Sequence, residues 1–208
     1  MAITKNGIIG GFSGKVGTVI GYELGGQQVM RSVGRRRKPF TALELLNQAK
    51  MRAVSQFLSP IKPYIKMGYQ SLVDKGSKVG AFQMAQSYIR KHAIAYDEAE
   101  QPYVDPAKVL MFRGTLDVPI NCRVERDGNV ITTRWDNADD AGHCHVMILI
   151  YDQENVRLLK ELGAPKREQI DIWETKFLEF ATRPVHVYAA FRDVLLGGFS
   201  DSVYCGAI

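Results

Sequence analysis

Acidic residues are scarce in the first half of this chain. Up to residue 95 there are three, Glu23, Glu44 and Asp74, against fifteen Lys and Arg, a net +12. From residue 96 onward nineteen Asp and Glu face twelve Lys and Arg, a net −7. Most cations of the first half therefore have no carboxylate among their sequence neighbours. That half is expected to meet an anionic partner, either a nucleic acid or the acidic half of another copy.

Cysteine is also sparse. The three, Cys122, Cys144 and Cys205, are odd in number and irregular in spacing. That pattern speaks against a disulfide framework and reads as three buried free thiols. No apolar run reaches the ~20 residues that a membrane-spanning helix needs, so no membrane insertion is expected. The opening MAITKNG lacks the apolar block of a secretory signal. The expected location is the cytoplasm at synthesis, with a virion or an extracellular assembly reachable by a route that needs no signal peptide.

Catalytic signals are missing too. GGFSGKVGT is reminiscent of a phosphate-binding loop around Gly14-Lys15. That loop needs Ser or Thr after the lysine and a helix next, and here Val16 and a strand pattern follow. His143, Cys144 and His145 bring two imidazoles close in sequence, with Asp139 and Asp140 before them and His186 on another strand. Zinc or copper needs three or four convergent ligands. Ser13, Ser200 and Cys205 lack a nucleophile elbow or a base held at fixed spacing, His186 included. No catalytic or metal residues, no cofactor and no small-molecule substrate are expected.

What is present divides into three parts. Residues 1–38 are Gly-rich and alternating. GTVIGY and QQVMRSV read as two strands around a tight Leu24-Gly25-Gly26 turn, a β-ribbon arm. Glycines at 7, 10, 11, 14, 17 and 21 leave room for another backbone. A two-stranded ribbon is marginal alone, so it needs a surface to lie on. Phe12, Val16, Val19, Tyr22, Val29 and Arg31 are its candidate assembly contacts. Lys15 and the run Arg35-Arg36-Arg37-Lys38 are candidate contacts to a polyanion or an acidic partner.

Residues 39–102 read as a short helical segment. Thr41-Ala42-Leu43-Glu44 is a capping box. Leu46, Ala49, Ala53, Phe57 and Ile61 follow at helical spacing, and Pro60 and Pro63 end or bend the helix. Gly68 weakens a second helix over 64–74, and a turn at Lys75-Gly76-Ser77 follows it. A third runs from about 80 to 95, its face marked by Phe82, Ala85, Ile89 and His92. Residues 103–208 read as an all-β sandwich, with a lead-in strand KVLMF at 108–112. The strands INCRVER, VITTRW, HVMILIY, VRLLKEL, EQIDIW, VHVYAAF and SDSVYCG come after it. Trp173, Phe177 and Phe180 in WETKFLEF read as core or strand-edge aromatics. The fold class expected is α+β.

Trp135 closing VITTRW and Tyr188 within VHVYAAF make residues 120–208 resemble a fibronectin type III domain. The resemblance implies an adhesion or spacer module. A second resemblance runs the length of the chain. GxxGxFSGKVGTVxG from Gly7 to Gly21 precedes Met30-Arg31-Ser32, a basic stretch to Pro39, Gln48-Ala49-Lys50 and Phe57-Leu58-Ser59-Pro60. Together these look like an uncharacterised bacterial family. Similar openings occur in phage-associated structural proteins, which implies assembly. The expectation is a non-enzymatic structural protein that associates with itself into a filament, tube or virion-like array. The alternative is a nucleic-acid-associated protein that uses the Arg35–Lys38 patch. A third reading is a host-surface or carbohydrate-binding module built on the sandwich.

Overall fold

A computed structural model describes residues 3–4, 11–74, 76–137, 143–152, 156–176 and 184–208. The chain is α+β, as expected. A glycine-rich sheet comes first. In it β1 (Ile3–Thr4), β2 (Phe12–Val16), β3 (Val19–Leu24) and β4 (Gln27–Ser32) pair antiparallel in chain order. FSGKV is thus a strand in its own right, so the ribbon is wider than the hairpin read from the sequence.

A nearly unbroken helical run follows. Thr41 caps α1 (Ala42–Leu58) through the full capping box with Glu44. Pro60 and Pro63 inflect the run rather than stop it. Each sits in the first turn of the next piece, a 3-10 turn at Ser59–Ile61 and then α2 (Lys62–Tyr69). In a first turn the missing N–H costs nothing. A further 3-10 turn ends at Leu72, and α3 spans Ala81–His92. Ala81, Ala85 and Ile89 form its buried face, whereas His92 is exposed.

The helices pack on β-structure. A small hairpin, β5 (Ile94–Tyr96) and β6 (Pro102–Val104), comes directly after α3. Among the described residues, seven strands then form two sheets. One has the order β7 (Arg123–Asp127), β8 (Val130–Arg134), β11 (Ile170–Glu174). The other has the order β10 (Arg157–Lys160), β9 (Cys144–Tyr151), β12 (His186–Asp193), β13 (Val203–Ala207).

Strands β9 and β12 are apolar on both faces, and side-chain alternation sends the two sets in opposite directions. Val146, Ile148, Ile150, Val187, Ala189 and Phe191 share a core with Ile131 of the smaller sheet and with Trp135, which follows β8. Met147, Leu149, Tyr151, Tyr188 and Ala190 share another with Val54, Phe57, Ile61, Ile65, Tyr69, Ala85 and Ile89 of the helices. The body is therefore three layers deep: helices, four-stranded sheet, three-stranded sheet. One core runs across residues 102 and 103, where the sequence suggests a division.

KVLMF is not a strand. Lys108 ends a 3-10 turn, and residues 109–112 belong to no sheet. Val109, Met111 and Phe112 are fully buried in the core shared with the helices. The N–H groups of Met111 and Phe112 donate to Ser202 Oγ at 2.7 and 3.3 Å. Gly68 makes the approach possible, because a Cβ there would lie 2.5 Å from the Phe112 ring. Glycine in α2 thus serves packing.

The cysteine reading also needs correction. Cys122, just before β7, and Cys205 on β13 are disulfide-bonded, with Cα atoms 5.2 Å apart. They lie 83 residues apart in sequence, so no local spacing could announce the pair. Cys144 is buried and lies outside that disulfide.

Candidate assembly surface

The N-terminal sheet is shaped by glycine at two kinds of position. Gly25 and Gly26, the two central residues of the β3–β4 turn, have φ of +59° and +77°. This is the left-handed pair that such a hairpin requires. Gly14 and Gly21 face each other across β2 and β3. A Cβ on Gly21 would meet the Phe12 carbonyl oxygen and lie 2.8 Å from its ring. Bare backbone at 21 is what lets Phe12 fold over the sheet.

Register divides the six expected assembly contacts between two faces. The pairs Gly14↔Gly21 and Val16↔Val19, with Gly21↔Met30, put Phe12, Val16, Val19 and Met30 on one face. Lys15↔Ile20, Ile20↔Arg31 and Tyr22↔Val29 put Lys15, Tyr22, Val29 and Arg31 on the other. The first face also carries Glu23, Gln28 and Ser32, so it mixes apolar and polar side chains. The second adds Ile20 and Leu24 to Lys15, Tyr22, Val29 and Arg31, with the Arg31 guanidinium 5.7 Å from the centre of the Tyr22 ring. A single interface built from all six residues is not what the sheet presents. Met30, 70% exposed, was missed by pattern reading. Only the register shows that it shares a face with Phe12, Val16 and Val19.

Gly21 is the one buried residue of β2 to β4, and Val16 remains 55% exposed. The sheet is hydrogen-bonded to neither sheet of the body, and the outer edge of β4 is unpaired among the described residues.

The basic run is not four equivalent cations. Arg36 is used within the chain. Its guanidinium donates to Glu44 Oε2 at 2.6 Å and to the carbonyls of Lys38 and Pro39, and it lies 3.9 Å over the Phe40 ring. Glu44 also accepts from the N–H and hydroxyl of Thr41 at 2.9 and 3.0 Å. The Arg36 hydrogen bond, then those from Thr41, hold its carboxyl below the ordinary carboxylate range. Arg36 thus braces the start of α1. Arg35, Arg37 and Lys38 are exposed and form no ion pair among the described residues.

The residues weighed for chemistry are dispersed. His145 Nδ1 lies 2.9 Å from the Gly163 carbonyl and pairs across the sheet with Arg192. His186 pairs with Tyr151 at the far end of the same two strands, its Nδ1 3.0 Å from the Tyr204 hydroxyl. Burial lowers its pKa below the usual value. No group of three metal-binding side chains occurs among the described residues. Ser200 is buried, its hydroxyl bonded to the Phe191 N–H and the Asp201 carbonyl. Cys205 is in the disulfide. Gly14-Lys15 lies inside β2, between strands rather than before a helix. Trp173 on β11 is half-buried against the core between the two sheets. Gly7, Gly10, Lys75, Asp139, Asp140, Phe177 and Phe180 lie outside the described residues. No helix among the described residues is long and apolar enough to cross a membrane.

Residues 11–194 match DUF6266, a family of unknown function, and the chain belongs to that family. The match takes in the N-terminal sheet from Gly11, the helices and most of the two-sheet core. No curated protein and no solved structure matches the chain.

Proposed function

We propose that this is a non-enzymatic structural protein that self-assembles into a filament, tube or virion-like array. The N-terminal sheet is the joint in this reading. The observation that carries it is the contrast within that sheet. It has regular pairing and a two-glycine turn, yet Val16 and Met30 are exposed on one face and the outer edge of β4 is unpaired among the described residues. A sheet of this size gains too little from its own burial to stand alone. Pairing with a neighbour's backbone would supply the missing burial. Opposite net charges on the two halves favour head-to-tail contact.

The order β10-β9-β12-β13 against β11-β8-β7 supports reading residues 103–208 as a fibronectin-type-III-like sandwich, a spacer in such an array. Trp135 fits that reading, buried between the sheets with Nε1 donating to the Lys166 carbonyl at 2.8 Å. Tyr188 does not, because it faces the helices.

The test is size-exclusion chromatography with light scattering on the nuclease-treated chain. Assembly predicts a large particle free of nucleic acid, reduced to a folded monomer lighter than the 23.3 kDa full-length chain when residues 1–38 are deleted. A full-length chain that stays at that mass at every concentration refutes it. A second reading, nucleic-acid association, is favoured by the unpaired Arg35, Arg37 and Lys38. It predicts polyanion binding that falls steeply with salt and is lost when the three become alanine.

A further inference from the structure

The exposed apolar side chains of the body include a set that forms a groove. It lies between the first turns of α1 and the β5–β6 hairpin, has a volume of about 410 Å³, and is lined by Leu46, Tyr96 and Glu100. Leu43, one turn before Leu46 on the same face of α1, is 68% exposed, and Tyr96 is 48% exposed. Lys50, one turn after Leu46, holds its ammonium 5.6 Å from the centre of the Tyr96 ring. Beside the groove runs the hairpin loop with Asp97, Glu98 and Glu100, all exposed. Asp97 orders this loop by accepting from the N–H groups of Ala99 and Gln101 at 2.9 and 2.8 Å. Glu98 and Glu100 have no ion-pair partner among the described residues.

An apolar hollow with an acidic rim suits an apolar side chain flanked by cations. The chain carries such a segment. Met30 stands out from β4, the last strand of its sheet among the described residues, and Arg35, Arg37 and Lys38 come after it. Methionine is unbranched and polarisable, and it fills irregular hollows beside aromatic rings. Within one subunit the tip of this hairpin lies beside Lys78, where a Cβ on Gly25 would come within 3.9 Å.

We propose that the groove receives β4 of a second copy. Met30 would enter the hollow of Leu43, Leu46 and Tyr96, and Arg35, Arg37 and Lys38 would meet the Asp97–Glu100 loop. The proposal rests on the self-assembly reading and names its receptor. Two different surfaces are used, so the contact is heterologous and propagates into a ring or an open filament.

The test is a charge exchange between full-length chains. One carries Glu98→Lys with Glu100→Lys. The other carries Arg35→Glu, Arg37→Glu and Lys38→Glu, with Arg36 left in place because it braces α1. Each alone is expected to weaken association at least tenfold by light scattering, and a mixture of the two is expected to regain it. Disulfide trapping is a second measurement that does not depend on how the charge variants fold. A Met30→Cys chain mixed with a Leu43→Cys chain should give a crosslinked dimer. Met30→Cys mixed with Lys108→Cys should not. If the wild-type chain does not associate, the assembly reading itself falls, and this proposal with it. If the wild type associates, and neither charge variant weakens it nor does the Met30–Leu43 pair crosslink, the proposal alone is overturned.

Discussion

Strand β3 and strand β9 are both regularly paired on both sides, and they differ in what lies above and below them. Across its six residues β3 buries only Gly21. Across its eight residues β9 leaves only His145 short of full burial. Hydrogen-bond ladders of similar quality thus sit at opposite ends of the packing scale. In β9 the side chains on each face close a core, one against the helices and one against the smaller sheet. In β3 the backbone is ordered, but Val19, Ile20, Tyr22 and Leu24 are only half-buried and Glu23 is exposed. The order of the first sheet is geometric, set by turns and close approach. The order of the second comes from buried area, the larger source of stability.

Truncation of a core side chain should separate the two regions most widely. Phe57 is buried against the Tyr151 ring, with centroids 5.2 Å apart. Phe57→Ala is expected to cost about 4 kcal/mol in urea unfolding. Met30→Ala should change the dissociated chain by less than about 0.5 kcal/mol. Equal costs would mean that the N-terminal sheet is packed within its own subunit. The disulfide comes next. Changing Cys122 and Cys205 together to Ser should lower the stability of the body by about 3 kcal/mol, since the unfolded chain loses a long-range tie. Exchange protection of the β2–β4 amides should not change.

Smaller effects lie at the junction. Thr41→Ala removes the cap of α1 and should cost about 1 kcal/mol. It should also loosen the linker, because Thr41 and Arg36 share the Glu44 carboxylate. Faster hydrogen exchange at residues 36–44 would register that coupling. The least change is expected from His186. Burial holds its folded pKa below 6.5, so the unfolded chain binds the proton more readily. Its contribution is present above pH 6.5 and declines as the pH falls toward the folded value. The stability difference between the wild type and His186→Asn should therefore shift between pH 7.5 and 5. A difference independent of pH would show that His186 does not titrate between the two states.

Local chemistry made part of this legible. Thr41 and Glu44 announce α1, Gly25-Gly26 announces the hairpin, and seven alternating or apolar runs announce β7 to β13. HVMILIY carried a further message, because an unbroken apolar run implies burial on two faces, and the second face is where the helices pack. Long-range facts were not legible. The Cys122–Cys205 tie, the seat of residues 109–112 against Gly68 and the division of Phe12 from Tyr22 all depend on which segments meet. The four cations at 35–38 look alike in sequence. Only the geometry of Glu44 singles out Arg36. The groove beside Tyr96 was likewise invisible, since it joins a helix to a hairpin fifty residues away.

The link between Cys122 and Cys205 has a mechanical consequence. It closes a loop that holds all of β7 to β12 and much of β13. A tether pulled at its two ends passes force through the sulfur atoms and around that loop. The chain between them, a separation of 83 residues and about 280 Å of contour if fully extended, is withheld from stretching. In an oxidised strand of such subunits, extension would be limited to the arm, the helices and the short segments outside the loop. A reducing environment would release the hidden length subunit by subunit.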